Sequence, residues 1–113
     1  TAQDRLWQMD ISTRASAGRL AEVLGERLLE RDKKTRRSGM GYGAEKMLES
    51  WKKSPESMSK LEAYSAGVNA YIDQLQPKDY PIEFKLMNST LIIRTIFVFI
   101  LSSCQRCTHL KHQ

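Results

Sequence analysis

Five cysteine, histidine and threonine side chains are the obvious carriers of chemistry in this 113-residue chain. Cys104-Gln105-Arg106-Cys107-Thr108-His109-Leu110-Lys111-His112 holds four side chains of the types that bind zinc, and Cys-x2-Cys is the usual first half of a zinc site. The second half is wrong. His109 and His112 follow too closely to come from a separate element, and Cys-x2-Cys-x-His is not the haem-attachment spacing either, so no metal site is expected here. Thr1 is the other candidate, because a terminal threonine with a free α-amine can act as its own base.

Serine chemistry has no base to work with. Ser12, Ser16, Ser38, Ser50, Ser54, Ser57, Ser59 and Ser65 all fall in expected helices or caps, and no histidine occurs before His109. Solvent-facing and capping roles are therefore expected for all eight. The glycines of Gly39-Met40-Gly41-Tyr42-Gly43 follow no strand pattern and have neither dinucleotide-fingerprint nor phosphate-loop spacing, which argues against phosphate binding. Thr1 is set aside because one side chain without an oxyanion site leaves most of the rate enhancement unrealised, so the expected set of catalytic, cofactor-binding and metal-binding residues is empty.

The formal charge of +5 divides unevenly along the chain. All thirteen acids lie in residues 1–88 beside fifteen Lys and Arg, leaving +2, whereas 89–113 adds three bases and no acid. Only Arg31-Asp32-Lys33-Lys34-Thr35-Arg36-Arg37 is locally basic enough to suggest a polyanion, and no aromatic residue interleaves with it to stack bases. An exposed inter-helix segment with no nucleic-acid partner is the expectation. Both cysteines fall in the tail, so residues 1–88 contain no disulfide.

The elements that would position these residues are mostly helical. Thr1 can cap a helix with Leu6, Met9, Ala17, Leu20 and Leu24 at helical spacings, broken or capped at Gly25. Asp10 and Arg14 form an i,i+4 pair expected on an exposed face, where it adds a few tenths of a kcal/mol. The charged stretch 26–37 continues that helix or restarts after Gly25, and Gly39–Gly43 is expected to turn before a short helix through Ala44, Met47, Leu48 and Trp51.

Ser54-Pro55-Glu56 marks the clearest helix start, and the stripe Met58, Leu61, Tyr64, Val68, Tyr71/Ile72 and Leu75 gives one buried face ended before Pro77. Leu61, Val68 and Ile72 are expected to pack on the first helix. Trp7, Trp51, Tyr64 and Tyr71 are expected in core or inter-helix packing. Tyr80 to Met87 alternates apolar and polar residues and predicts one short strand, with Ile82, Phe84 and Leu86 on one side. The run Leu91–Leu101 is β-branched, aromatic and acid-free, and with an Arg inside eleven residues it is too short to span a bilayer.

Four blocks stand in order along the chain: Ala2-Gln3-Asp4-Arg5-Leu6-Trp7-Gln8-Met9-Asp10, Gly18-Arg19-Leu20-Ala21-Glu22-Val23-Leu24-Gly25, Leu61-Glu62-Ala63-Tyr64-Ser65-Ala66-Gly67-Val68-Asn69-Ala70-Tyr71-Ile72, and Tyr80-Pro81-Ile82-Glu83-Phe84-Lys85-Leu86. Together they resemble the α-chain region of the penicillin amidase family of N-terminal-nucleophile hydrolases. The resemblance covers residues 1–88 and leaves 89–113 as a tail outside the pattern, where the family's Lys-, Pro- and Trp-containing segment is replaced by Ser89-Thr90-Leu91-Ile92. Loss of the pattern, of acids and of periodicity together points to a frameshift, intron read-through or damaged gene copy. The chain begins with Thr1 rather than Met and is expected to be a fragment.

The resemblance implies a mainly α piece, with one short strand, of the four-layer αββα fold. It implies a periplasmic or secreted precursor that cleaves itself into two chains, the second opening on the nucleophile, whose α-amine is its base and whose oxyanion is held by preorganised N–H donors. Implied substrates are acyl amides, including penicillins and acyl-homoserine lactones. Calcium is implied for the full-length parent, through carboxylates beyond residue 88, and the implied partner is the remainder of the precursor. Asp4, Arg5 and Gln8 are expected to be structural ties to that remainder. A small basic helical interaction module without catalysis is the alternative.

Overall fold

The structure is a computed structural model that describes residues 2–89. Thr1, the apolar run Leu91–Leu101 and the Cys104–His112 cluster lie outside the described residues. Among the described residues six α-helices follow one another: α1 (Ala2–Ala17), α2 (Ala21–Leu24), α3 (Leu29–Arg37), α4 (Met40–Lys52), α5 (Pro55–Gln74) and α6 (Ile82–Leu86). Short 3-10 turns at Glu26–Leu28 and Pro77–Asp79 link α2 to α3 and α5 to α6. The mainly α class is thus observed, and there is no strand among the described residues.

The first helix stops earlier than its stripe suggests. Gly18 adopts φ +66°, a left-handed conformation, and a Cβ there would lie 2.8 Å from both the Asp32 carbonyl oxygen and the Arg36 Cγ. Only glycine permits both the backbone and the approach. Gly25 ends α2 with φ 91° and ψ 173°, so the charged stretch restarts as a new helix rather than continuing the old one.

Gly39, at φ 75°, is the turn between α3 and α4. The expected longer hinge is absent: α4 begins at Met40 and takes in Gly41 and Gly43, with the Gly43 amide bonded to the Gly39 carbonyl at 2.9 Å. Packing overrides the weak helix propensity of these glycines, since Ala44 is fully buried and Met47, Leu48, Trp51, Ala17 and Leu61 close around it.

The α5 helix starts as its sequence predicts, with Ser54 in extended conformation at the N-cap and Pro55 in the first turn. The Ser54 hydroxyl meets the Ser57 hydroxyl at 3.1 Å instead of a backbone amide. Val68 and Ile72 of α5 are buried against Leu6 and Phe84, forming the principal core. Leu61 belongs to the other cluster, around Ala44, and is half-buried.

The predicted strand is a helical turn. Ile82–Leu86 forms α6, with Phe84 buried while Ile82 and Leu86 are 65% and 74% exposed. Ile82-Glu83-Phe84-Lys85-Leu86 satisfies both an alternating pattern and an i,i+4 pair, so periodicity over five residues cannot separate strand from helix. Tertiary contact decides it: the Phe84 ring takes Trp7 edge-on at 4.9 Å and Tyr80 at 6.1 Å, and a helical turn delivers that one side chain inward. Asn88 closes α6 at φ 46°, with the Ser89 amide donating to the Phe84 carbonyl at 3.2 Å and the Asn88 amide to the Lys85 carbonyl at 3.4 Å. This is a Schellman cap with asparagine in the left-handed position.

Candidate functional site

Two polar constellations stand out, one buried and one exposed. The buried one surrounds the turn between α1 and α2. The Arg14 guanidinium donates to Asp10 at 2.8 Å, with both side chains almost wholly buried, and also to Glu22 at 3.1 Å. Arg19 donates to the other oxygen of Glu22 at 2.8 Å. That hydrogen bond, with the nearby Arg14 and Arg36 charges, holds the Glu22 carboxyl below its ordinary value, and Glu22 in turn raises Arg19.

From α3, Asp32 accepts the Ala21 amide at 2.7 Å and Arg36 donates to the Gly18 carbonyl at 2.9 Å. The Gly18–Glu22 turn is thereby clamped from two sides. Asp10 to Arg14 is not the exposed pair that its spacing suggests. Positions 10, 13 and 14 fall on the same helical face as Leu6 and Ala17, so burial of that face takes the polar residues with it. A polar interruption of an apolar stripe, with an acid and a base four apart, is the signal that identifies such a pair in sequence.

The exposed constellation is a cleft of about 610 Å³ between the start of α1 and the approach to α6. Asp4, Arg5 and Gln8 line it together with Asp79 and Glu83, over a floor that includes Leu6, Trp7 and Tyr71. Arg5 departs from helical geometry at φ −132° and ψ 21°, which kinks α1 at the mouth of the cleft. The motif residues Asp4, Arg5 and Gln8 are all exposed. Asp79 gives no sequence signal, and Glu83, although it falls in the Tyr80–Leu86 block, is not marked there as a neighbour of Asp4, Arg5 and Gln8, because only the fold brings the end of the Pro77–Asp79 turn and α6 beside α1.

The other sequence candidates separate. Ser16 and Ser65 are buried rather than solvent-facing. The Ser16 hydroxyl donates to the Ser12 carbonyl at 3.0 Å, as a helical serine does when the face around it closes. Trp7 and Tyr71 pack on the principal core and Trp51 on the second cluster, whereas Tyr64 is 44% exposed and belongs to neither. Among the described residues no three His, Cys, Asp or Glu side chains converge to hold a metal ion.

The geometry is that of a polar-clamped scaffold which presents an exposed motif at its surface, and comparison with known proteins places it. The penicillin amidase family model matches residues 1–99. The chain belongs to the penicillin amidase family. It is 40% identical to the penicillin acylase 2 proenzyme of Pseudomonas sp. (strain SE83) over 88 residues, 78% of this chain and 11% of that protein. It is likewise 40% identical to the penicillin G acylase of Escherichia coli over 74 residues, 66% of this chain and 8% of that protein. The chain thus spans about a tenth of the length of the curated relatives it matches. The family match passes Asn88, where the resemblance read from the motifs stops, and takes in the apolar run as far as Phe99.

Proposed function

We propose that this chain is a segment of the α-chain region of an acylase that hydrolyses acyl amides of penicillin or acyl-homoserine-lactone type, and that it is inactive by itself. The observation that carries this reading is the 40% identity to two penicillin acylases over most of the chain, one of them named as a proenzyme. The nucleophile belongs to the second chain of the precursor, in the fold of the N-terminal-nucleophile hydrolases, where its own α-amine removes its proton as it attacks the amide carbonyl. Residues 2–89 contribute the scaffold. Calcium, where the parent binds it, is held by carboxylates beyond residue 88, and the mature enzyme works in the periplasm or outside the cell. No helix among the described residues is long and apolar enough to cross a membrane.

The test is hydrolysis of chromogenic phenylacetyl and long-acyl amides. The chain alone should give no turnover, and a mixture with the Pseudomonas proenzyme lacking its own matched segment should give processed, active enzyme. Turnover by the chain alone that disappears on Thr1→Ala would overturn the assignment.

A further inference from the structure

We infer that the surface formed by α6 and the opening of α1 is the docking face for the body of the acylase, and that the body meets it with an apolar strip flanked by net positive charge. This rests on the reading of the chain as an acylase segment. Ile82 and Leu86 lie four residues apart on one face of α6 and are 65% and 74% exposed, the two most exposed aliphatic side chains among the described residues. Isolated apolar side chains on a surface need no explanation, but these are contiguous and sit beside the polar cleft to which α6 contributes Glu83. An apolar centre with a polar rim is the anatomy of a protein interface.

The rim also has a sign. Asp4, Asp79 and Glu83 face Arg5 around the cleft, so three carboxylates oppose one guanidinium. Among the described residues none of the four makes a side-chain ion pair, although the same surface elsewhere pairs Glu30 with Lys33, Glu49 with Lys46 and Glu56 with Lys60. Basic groups on the occupant satisfy that excess, and charge complementarity of this kind sets orientation and partner choice more than raw affinity. The occupant is the acylase body because about nine tenths of each relative's length lies outside this chain.

The experiment measures association of the full chain with the Pseudomonas proenzyme lacking its matched segment, by sedimentation, alongside acylase turnover of the mixture. Ile82→Asp with Leu86→Asp should weaken association about tenfold or more, and Asp4→Lys with Glu83→Lys should weaken it and reverse its salt dependence. Tyr42→Ser, at a side chain 66% exposed on α4, should leave it unchanged. The substituted positions are exposed, and circular dichroism of each variant confirms its helices independently. Equal association by all three variants, equal loss by all three, or no association of the unmodified chain would overturn the docking face. Association without turnover would instead leave the docking face standing and refute the acylase reading.

Discussion

The Asp32 carboxylate accepts the backbone N–H of Ala21 at 2.7 Å, eleven residues back in the chain, and this bond ties α3 to the first turn of α2. Asp32 is buried, and its second oxygen has no partner among the described residues, so the group is held in place by one charge-assisted hydrogen bond. Asp32→Ala is expected to cost about 1.5–3 kcal/mol, the worth of a hydrogen bond to a charged group, and Asp32→Asn less because its amide oxygen can still accept. Urea unfolding checks it; equal losses for the two variants would mean that the carboxylate acts through something other than Ala21.

Gly18 depends on the same clamp. Alanine there must adopt φ +66° and also displace the Asp32 backbone or the Arg36 side chain from 2.8 Å. The left-handed conformation alone costs about 1–2 kcal/mol for a residue with a Cβ, and the backbone contact adds to it. Gly18→Ala should therefore lower the thermal midpoint more than Gly67→Ala, where nothing lies within 4 Å of the new methyl group. The opposite order would show that the turn is looser than its contacts imply.

Much of this arrangement was legible in the residues and part was not. The α5 helix announced itself because Ser54, Pro55 and the stripe through Val68 and Ile72 agree with one another. The strand expected from Tyr80 to Met87 is instead the helical turn Ile82–Leu86, because so short a run cannot distinguish two periodicities, and the inward Phe84 is settled by Trp7, some eighty positions away. Local pattern likewise could not say that Asp32 and Arg36 turn inward from a run of charge, since what fixes them is the backbone of Gly18 and Ala21. In the exposed cleft, Asp4, Arg5 and Gln8 were identifiable as motif residues, whereas Asp79 and Glu83 join them only through the fold.

The buried Arg14 offers a sharper test of the polar clamp. Removing Arg14 takes from the buried Asp10 carboxylate the charge that faces it at 2.8 Å, so Arg14→Ala is expected to cost about 3–5 kcal/mol. Replacing both partners with apolar residues, Asp10→Leu with Arg14→Met, removes the buried carboxylate together with its partner and should be milder than Arg14→Ala alone. Unfolding free energies of the single and double variants decide it. Additive losses would mean that Asp10 and Arg14 stabilise the helix independently.

The core makes a graded prediction. Ile72 is buried in the principal cluster, and Ile72→Ala should cost about 2–5 kcal/mol. Leu61 is only half-buried beside Ala44, so the same truncation there should cost less. Superimposable unfolding curves for Ile72→Ala and the parent would remove α5 from the core.

Acid should loosen the clamp at Glu22. The Arg19 hydrogen bond depresses its carboxyl from the ordinary value of 4.5, with burial opposing the shift and the Arg19, Arg14 and Arg36 charges reinforcing it. A group whose folded-state value is lowered binds protons more readily when unfolded, so its contribution is present above 4.5 and is lost as pH falls through the lower folded-state value. The Glu22 side chain is 44% exposed, so the effect is modest and screened by salt. Thermal midpoints of the parent and of Glu22→Gln should differ at neutral pH and low ionic strength, and the difference should shrink as the solution is acidified below the ordinary carboxylate range. A gap that stays constant across that range would show that the bonds from Arg14 and Arg19 to Glu22 do not depend on its charge.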